Sequence, residues 1–245
     1  MGQKALIIAG MHRSGTSLLA RFAHLAGVDL GDQLLSARQY NPFGYFEDVE
    51  ILAFHSQILR RESGHSMWAR RPPLLIADDR AQARQLAAAR TQKALWGWKE
   101  PRTCLFLDLW NEILPESHFL FVVRHPSQVV DSLARRSHRT RLYWPWRLNL
   151  YLSQWLLYNR ACLALCASQP ARTLVSALET TLDHPAAFAA RLSAWFGHEF
   201  SAERLRQAYE TPALKQDARW PGWISGRLKA ESLALYEELK RLAAA

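Results

Sequence analysis

Two clusters of residues in this sequence have the types and spacing to hold anions. The first is Gly10-Met11-His12-Arg13-Ser14-Gly15-Thr16-Ser17. Two glycines bound a loop that carries one arginine and is followed by hydroxyls. The apolar run ending at Ala9 precedes it, and Leu18, Leu19, Phe22, Leu25 and Ala26 follow at helical spacing. Strand, small-residue loop and helix start together grip a phosphate, because backbone N–H groups point into the loop and the helix dipole favours an anion. The same letters also suit a plain strand-to-helix turn that needs glycine. The second cluster is Arg124-His125-Pro126 with Asp131-Ser132, after the apolar run Phe121-Val122-Val123. Ser132 lies about two helical turns past Arg124. An arginine fork with a hydroxyl makes a clamp for a second phosphate. A strand-end arginine in an ion pair, with a solvent-facing serine, is the plainer alternative.

The frame from Gly10 to Gly15 is similar to the P-loop of nucleoside triphosphatases, where lysine and serine or threonine come next. Here Thr16 and Ser17 stand in those places, and the nearest cation is Arg13 inside the loop. This order suits a single terminal phosphate better than a triphosphate with magnesium.

The elements that would position these residues can be read from the hydrophobic pattern. Residues 1–30 read as strand, loop and helix, closed by Gly27 to Gly31. Residues 31–47 read as loop, with a turn at Asn41-Pro42-Phe43-Gly44. A helix is expected after Glu47, an irregular stretch over 61–78, and an alanine-rich helix over 80–93. Strands are expected at 94–98, 118–123 and 172–175, and helices at 103–113, 127–136, 146–168 and 185–195. Short apolar strands alternating with helices imply a parallel sheet wrapped on both faces. Ligands of such sheets sit at the carboxyl ends of the strands. The loops after Ala9, Trp98 and Val123 should therefore meet at one cleft.

The chain of 245 residues, 49% hydrophobic and 22% charged, suits one α/β domain over 1–245. Three cysteines, an odd number without C-x-x-C spacing, provide no disulfide framework and point to a reducing, cytoplasmic setting. The N-terminal apolar run is too short for a signal peptide and no run approaches a membrane span. A net charge of +9 suits an anionic ligand, a nucleic acid or an anionic membrane face. No nucleic-acid motif is present. Tyr143, Trp144, Trp146, Tyr151, Trp155 and Tyr158 cluster with Arg139, Arg141 and Arg147. They read as helix-packing core with a basic rim, as a stacking platform for an acceptor, or as a peripheral membrane contact.

Taken together these motifs resemble the sulfotransferases that use 3′-phosphoadenosine 5′-phosphosulfate. Arg13-Ser14-Gly15-Thr16-Ser17 matches the family's 5′-phosphosulfate loop. Arg124 and Ser132, in an Arg-His-Pro context, match its 3′-phosphate site. Gly10–Ser17, Gly44-Tyr45-Phe46-Glu47 and Trp98-Lys99-Glu100-Pro101-Arg102 look most like a bacterial subgroup of that family. Two family segments are missing. Ser176-Ala177-Leu178-Glu179 stands where Y-E-D-L is usual, and the K-x-H-L-P segment with the catalytic histidine of the cytosolic enzymes is absent.

The resemblance implies a P-loop-like three-layer α/β/α sandwich with a central parallel sheet and a helix-rich C-terminal half. It implies sulfuryl transfer to a hydroxyl or amine of a carbohydrate or small metabolite, with no metal. Gly10, His12, Arg13, Ser14, Gly15, Thr16, Ser17, Arg124 and Ser132 would bind the donor. Glu47 resembles the glutamate base of carbohydrate sulfotransferases; its alternative is a helix-start glutamate stabilised by the dipole. Lys99 and Arg102 would contact the sulfate or bridging oxygen, and Glu100 would be a second base or hold Lys99. His12 would contact the transferred group or serve only in the loop. A P-loop small-molecule kinase and a catalytically inactive nucleotide-binding module are the competing functions. The letters say nothing of oligomeric state.

Overall fold

The computed structural model describes residues 4–36, 44–139, 147–209, 219–220 and 223–244. The turn at Asn41-Pro42-Phe43, the aromatic residues Tyr143, Trp144 and Trp146, Arg141, and Pro221-Gly222 lie outside the described residues.

The chain opens with β1 (Lys4–Ala9) and α1 (Thr16–Leu25), then α2 (Val49–Ser63) and α3 (Ala77–Arg90). Strand β2 (Leu95–Lys99) leads through a 3-10 turn, Pro101–Leu105, into α4 (Leu107–Ile113). Next come β3 (His118–Val123), α5 (Pro126–Arg139), α6 (Arg147–Ser168) and β4 (Thr173–Ala177). Helices α7 (Leu178–Asp183), α8 (Pro185–Phe196), α9 (Ala202–Tyr209) and α10 (Gly226–Ala244) complete the described chain. Helix α2 and helix α3 both begin and end within a few residues of expectation. The expected helix over 103–113 is a 3-10 turn, Pro101–Leu105, followed by the short helix α4.

The four strands form one parallel sheet in the order β2-β1-β3-β4. Side chains alternate between its faces. Ile7, Ala9, Trp96, Trp98, Phe119, Phe121 and Val123 share one apolar cluster with α2 through α6 and α10. Leu6, Ile8, Leu120 and Val122 share another with α1, α8 and α9. The α/β/α sandwich with a central parallel sheet is therefore observed, with helices dominating the C-terminal half. Gly97 interrupts the tryptophans of β2 because a Cβ there would stand 1.9 Å from the Leu6 carbonyl oxygen on the neighbouring strand.

The strand order also locates the site. From β1 the chain crosses to β2 on one side, while β3 and β4 lie on the other. The crevice at a reversal of this kind opens beyond the carboxyl ends of the central strands. Here those ends are Ala9 and Val123, which carry the two clusters expected to hold anions.

Candidate active site

The loop after β1 is held in a conformation that few residues tolerate. Gly10 has φ +152°, and a Cβ there would lie 2.3 Å from the Val122 carbonyl oxygen. Arg13 has φ +73°, a left-handed backbone costing on the order of 1–3 kcal/mol for a non-glycine residue. Gly15 follows as the left-handed N-cap of α1, without a capping side chain. The first N–H groups of α1 thus face the loop. The Ser14 hydroxyl is fully buried there and has no hydrogen-bond partner among the described residues.

The two clusters meet. Arg13 Nε donates to Ser132 Oγ at 2.9 Å, and Arg124 Nη1 donates to the Arg13 carbonyl at 3.3 Å. From the sequence Ser132 was expected over Arg124. Instead Gln128, one turn into α5, accepts from Arg124 Nε at 2.7 Å, and Ser132 reaches across to the β1 loop. Trp155 Nε1 donates to the Arg124 carbonyl at 3.2 Å. The Glu179 carboxylate accepts from His125 N at 3.1 Å and from the Tyr236 hydroxyl at 3.1 Å. The segment that replaces Y-E-D-L thus braces the start of the second cluster. Burial lowers the affinity of Arg13 for its proton, and the guanidinium groups of Arg136 and Arg124 lower it further. Burial does the same at Arg124, and Arg135 adds to it. Crowded, partly desolvated cations of this kind are stabilised by an incoming anion.

Strand β2 supplies the third part. Lys99 is only 1% exposed. Its Nζ donates to Glu47 Oε1 at 2.6 Å, to the Tyr45 carbonyl at 3.1 Å and to Ser17 Oγ at 3.2 Å. A lysine therefore does stand beside the phosphate loop, delivered by the neighbouring strand. Phe46, at φ +53°, turns the chain just before Glu47, and Glu47 pairs with Lys99 as a parallel bridge on the edge of β2. Among the described residues Arg13 and Phe46 are the non-glycine residues with positive φ, and both adjoin this site. The dipole of α2 is answered by Asp48, whose Oδ1 accepts from Glu50 N and Ile51 N. Glu47 is thereby left to face Lys99.

Glu100 does not hold Lys99, contrary to the sequence expectation, because successive strand residues point to opposite sides. Its Oε1 accepts from Arg102 Nη1 at 2.5 Å and its Oε2 meets His55 Nδ1 at 2.7 Å. Trp110 Nε1 donates to His55 Nε2 at 2.9 Å. That bond assigns the histidine proton to Nδ1. Burial alone raises the Glu100 carboxyl, but Arg102 and His55 outweigh it and bring it down to about 2. A carboxylate with both oxygens taken and so little proton affinity suits positioning rather than service as a base. Arg102 Nε is likewise occupied, donating to the Ser66 carbonyl at 2.6 Å. His12 is half-buried beside this network. Burial, then Arg102 and Lys99, hold its imidazole at about 3, so it is neutral at ordinary pH.

His55 and Gln128 are site neighbours that the sequence motifs do not single out, while Tyr158 and Glu179 enter there only within the aromatic cluster and the segment that replaces Y-E-D-L. For Gln128 the Arg-x-x-x-Gln spacing at a helix start was the available signal. For His55, on the buried stripe of α2, no local signal exists. Among the described residues no helix is long and apolar enough to cross a membrane, and no cluster of three or more His, Cys, Asp or Glu is placed to hold a metal.

The described chain is an α/β protein with a parallel sheet and a glycine-bounded, arginine-bearing loop at its switch point, where such folds place their ligands. The profile of the sulfotransferase family matches residues 5–202, and the chain belongs to that family. The fold is shared with the sulfotransferase domain of the olefin synthase of Synechococcus PCC 7002, at 18% identity and TM-score 0.58 over 98% of this chain and 95% of that one. It is also shared with the sulfotransferase domain of the curacin biosynthetic pathway, at 15% identity and TM-score 0.60 over 98% of each chain. A sulfotransferase of Mycobacterium tuberculosis H37Rv aligns at 14% identity and TM-score 0.52, over 100% of this chain and 77% of that one. No curated protein matches the sequence.

Proposed function

We propose that this chain, as one catalytic domain, transfers the sulfuryl group of 3′-phosphoadenosine 5′-phosphosulfate to a hydroxyl or amine of a carbohydrate or other small acceptor. The observation that carries this reading is the hydrogen bond from Arg13 Nε to Ser132 Oγ. It joins a 5′-type loop and a 3′-type arginine–serine pair into one cationic crevice at the switch point. The unpartnered, buried Ser14 hydroxyl and the glycine cradle fit a bound phosphosulfate.

When bound, the donor supplies a sulfuryl group whose S–O bond to the 5′-phosphate breaks, with its electron pair kept by the phosphate, as a bond to the acceptor oxygen forms. Gly10, Gly15, Thr16 and the α1 N-terminus hold the 5′ side by backbone N–H groups, with Arg13, Ser14 and Ser17 around them. Arg124 and Ser132 hold the 3′-phosphate, with Gln128 orienting the guanidinium. Lys99 neutralises charge on the bridging oxygen. Glu47 accepts the acceptor's proton. In the structure Lys99 clasps Glu47, so turning Lys99 toward the donor releases the carboxylate for that task. Glu100, Arg102 and His55 keep the end of β2 in place.

The test is calorimetry with 3′-phosphoadenosine 5′-phosphate, followed by incubation with 35S-labelled donor and fractionated acceptor extracts. Tight binding with label appearing in an organic product is expected. Absence of binding refutes the site. Tight binding without transfer to any fraction favours the inactive nucleotide-binding module, and magnesium-dependent consumption of ATP favours the kinase.

A further inference from the structure

We propose that Tyr158, on α6, is a catalytic residue of the transfer site: its hydroxyl and His12 Nε2 are paired neutral donors for the non-bridging oxygens of the group in transfer. The inference deepens the reading of this site as a sulfuryl-transfer centre and rests on it.

The starting point is an accounting of buried polar atoms. Nearly all such atoms in folded proteins find a hydrogen-bond partner, and an orphan marks a bound water, an ion or a functional site. Tyr158 is 0% exposed, yet among the described residues its hydroxyl has no partner. His12 Nε2 is likewise shielded and without a partner among the described residues. The two rings are neighbours, with centroids 6.1 Å apart and planes inclined at 54°. No hydrogen bond joins them directly, so each keeps its hydrogen-bonding capacity for a third group.

Their surroundings say what that group is. His12 belongs to the phosphate loop, one residue before Arg13. Both rings lie within the electrostatic reach of Arg102 and Glu100, and His12 within that of Lys99 and Arg136. The neighbourhood is cationic and dry, which calls for an anionic occupant. The donors themselves are neutral: burial raises the Tyr158 phenol far above its ordinary value, and the imidazole is held uncharged. Tyr158 is therefore always an O–H donor, and in its Nε2–H tautomer His12 is an N–H donor. Neutral, preorganised donors in a water-excluded pocket stabilise oxygens whose charge develops during transfer. An acceptor hydroxyl fits less well, since it would share its own proton with His12 and compete with Glu47.

Two other features keep Tyr158 in place. Trp155, one turn earlier on α6, donates to the Arg124 carbonyl. Cys162, one turn later, meets Cys104 of the 3-10 turn at 3.5 Å between sulfurs. The face of α6 that carries Tyr158 is thus tied at one end to the 3′-phosphate arginine and at the other to the segment after β2.

The experiment is single-turnover release of 35S-sulfate from labelled donor with water as acceptor, which needs no identified acceptor. It is run beside calorimetry with 3′-phosphoadenosine 5′-phosphate and a melting curve. Tyr158→Phe is expected to lower the single-turnover rate about 10²-fold, the cost of one such donor. Affinity for 3′-phosphoadenosine 5′-phosphate, which lacks the sulfuryl group, should stay unchanged. The melting temperature should stay level or rise, because the variant deletes an unsatisfied buried hydroxyl. His12→Gln, which keeps an N–H donor, should retain more activity than His12→Ala. An unchanged rate in Tyr158→Phe, or equal loss in both His12 variants, overturns the inference. If the wild-type protein itself binds no 3′-phosphoadenosine 5′-phosphate, the sulfotransferase reading fails first and takes this one with it.

Discussion

Replacing Glu100 with glutamine tests the buried network that ends β2. The side chain is fully buried, with one oxygen on Arg102 and the other on His55. Glutamine matches its shape but offers one acceptor oxygen and one NH2 donor. Whichever way the amide turns, its NH2 meets a donor, either the Arg102 guanidinium or His55 Nδ1–H. His55 cannot escape by moving its proton to Nε2, because Trp110 donates to that nitrogen. Arg102 loses its carboxylate while remaining buried. Breaking a buried pair in this way costs about 3–5 kcal/mol. For a chain of this size each kcal/mol lowers the melting temperature by about 2–4 °C, so a drop on the order of 10 °C is expected. The pH dependence follows from the depressed carboxyl. Glu100 ionises near 2 in the folded chain against an ordinary 4.5. Its contribution is therefore present in full above pH 4.5 and is lost as pH falls toward 2. The wild-type and Glu100→Gln stability curves should run apart at neutral pH and converge in acid. Differential scanning calorimetry between pH 3 and 8 measures both effects. A melting temperature within about 2 °C of wild type at pH 7, or a gap that widens in acid, would refute the reasoning.

Three further expectations concern the donor site and the sheet. Glu47→Gln should lower turnover about 10²–10⁴-fold, the usual loss of a general base, while calorimetric affinity for 3′-phosphoadenosine 5′-phosphate persists; near-normal turnover would remove Glu47 as the base. Arg124→Ala should weaken 3′-phosphoadenosine 5′-phosphate by about 1.5–3 kcal/mol, the worth of a charge-assisted hydrogen bond, yet spare adenosine 5′-phosphate. Equal loss for both nucleotides would place Arg124 on the wrong phosphate. Gly97→Ala puts a Cβ at 1.9 Å from the Leu6 carbonyl, inside the β1–β2 ladder. Loss of soluble folded protein by circular dichroism is expected, and a variant that folds with an unchanged melting temperature would contradict the register described above.

Much of the fold was legible because its signals are local. The runs Lys4–Ala9 and His118–Val123 are short, apolar and bounded by Gly or Arg-His-Pro, which suffices to mark buried parallel strands. Helix α7 was missed because six residues, Leu178–Asp183, are too few to show a period. The 3-10 turn before α4 was missed for a similar reason, since Pro101–Leu105 blends into the helical pattern that follows. In the site, residue identity predicted which groups take part better than it predicted who touches whom. Arg13, Lys99, Arg124 and Ser132 all converge. Ser132 pairs with Arg13, because α5 enters above the β1 loop and Gln128 already occupies Arg124.

The phosphate loop shows most directly where the two sources of information divide. Sequence alone determined that two glycines, Gly10 and Gly15, bound the loop and that a cation and hydroxyls stand between and after them. These are properties of residues within one turn of each other. It also showed that no lysine follows Gly15. Only the tertiary structure decided that a lysine is present after all. Lys99 comes from the adjacent strand, 82 residues along the chain from Ser17. Parallel pairing of Ile8 with Lys99 sets that register, and strand alternation sends Lys99 to Glu47 and Glu100 to Arg102. Contacts of that range follow from sheet order and pleat, and short stretches of sequence carry neither.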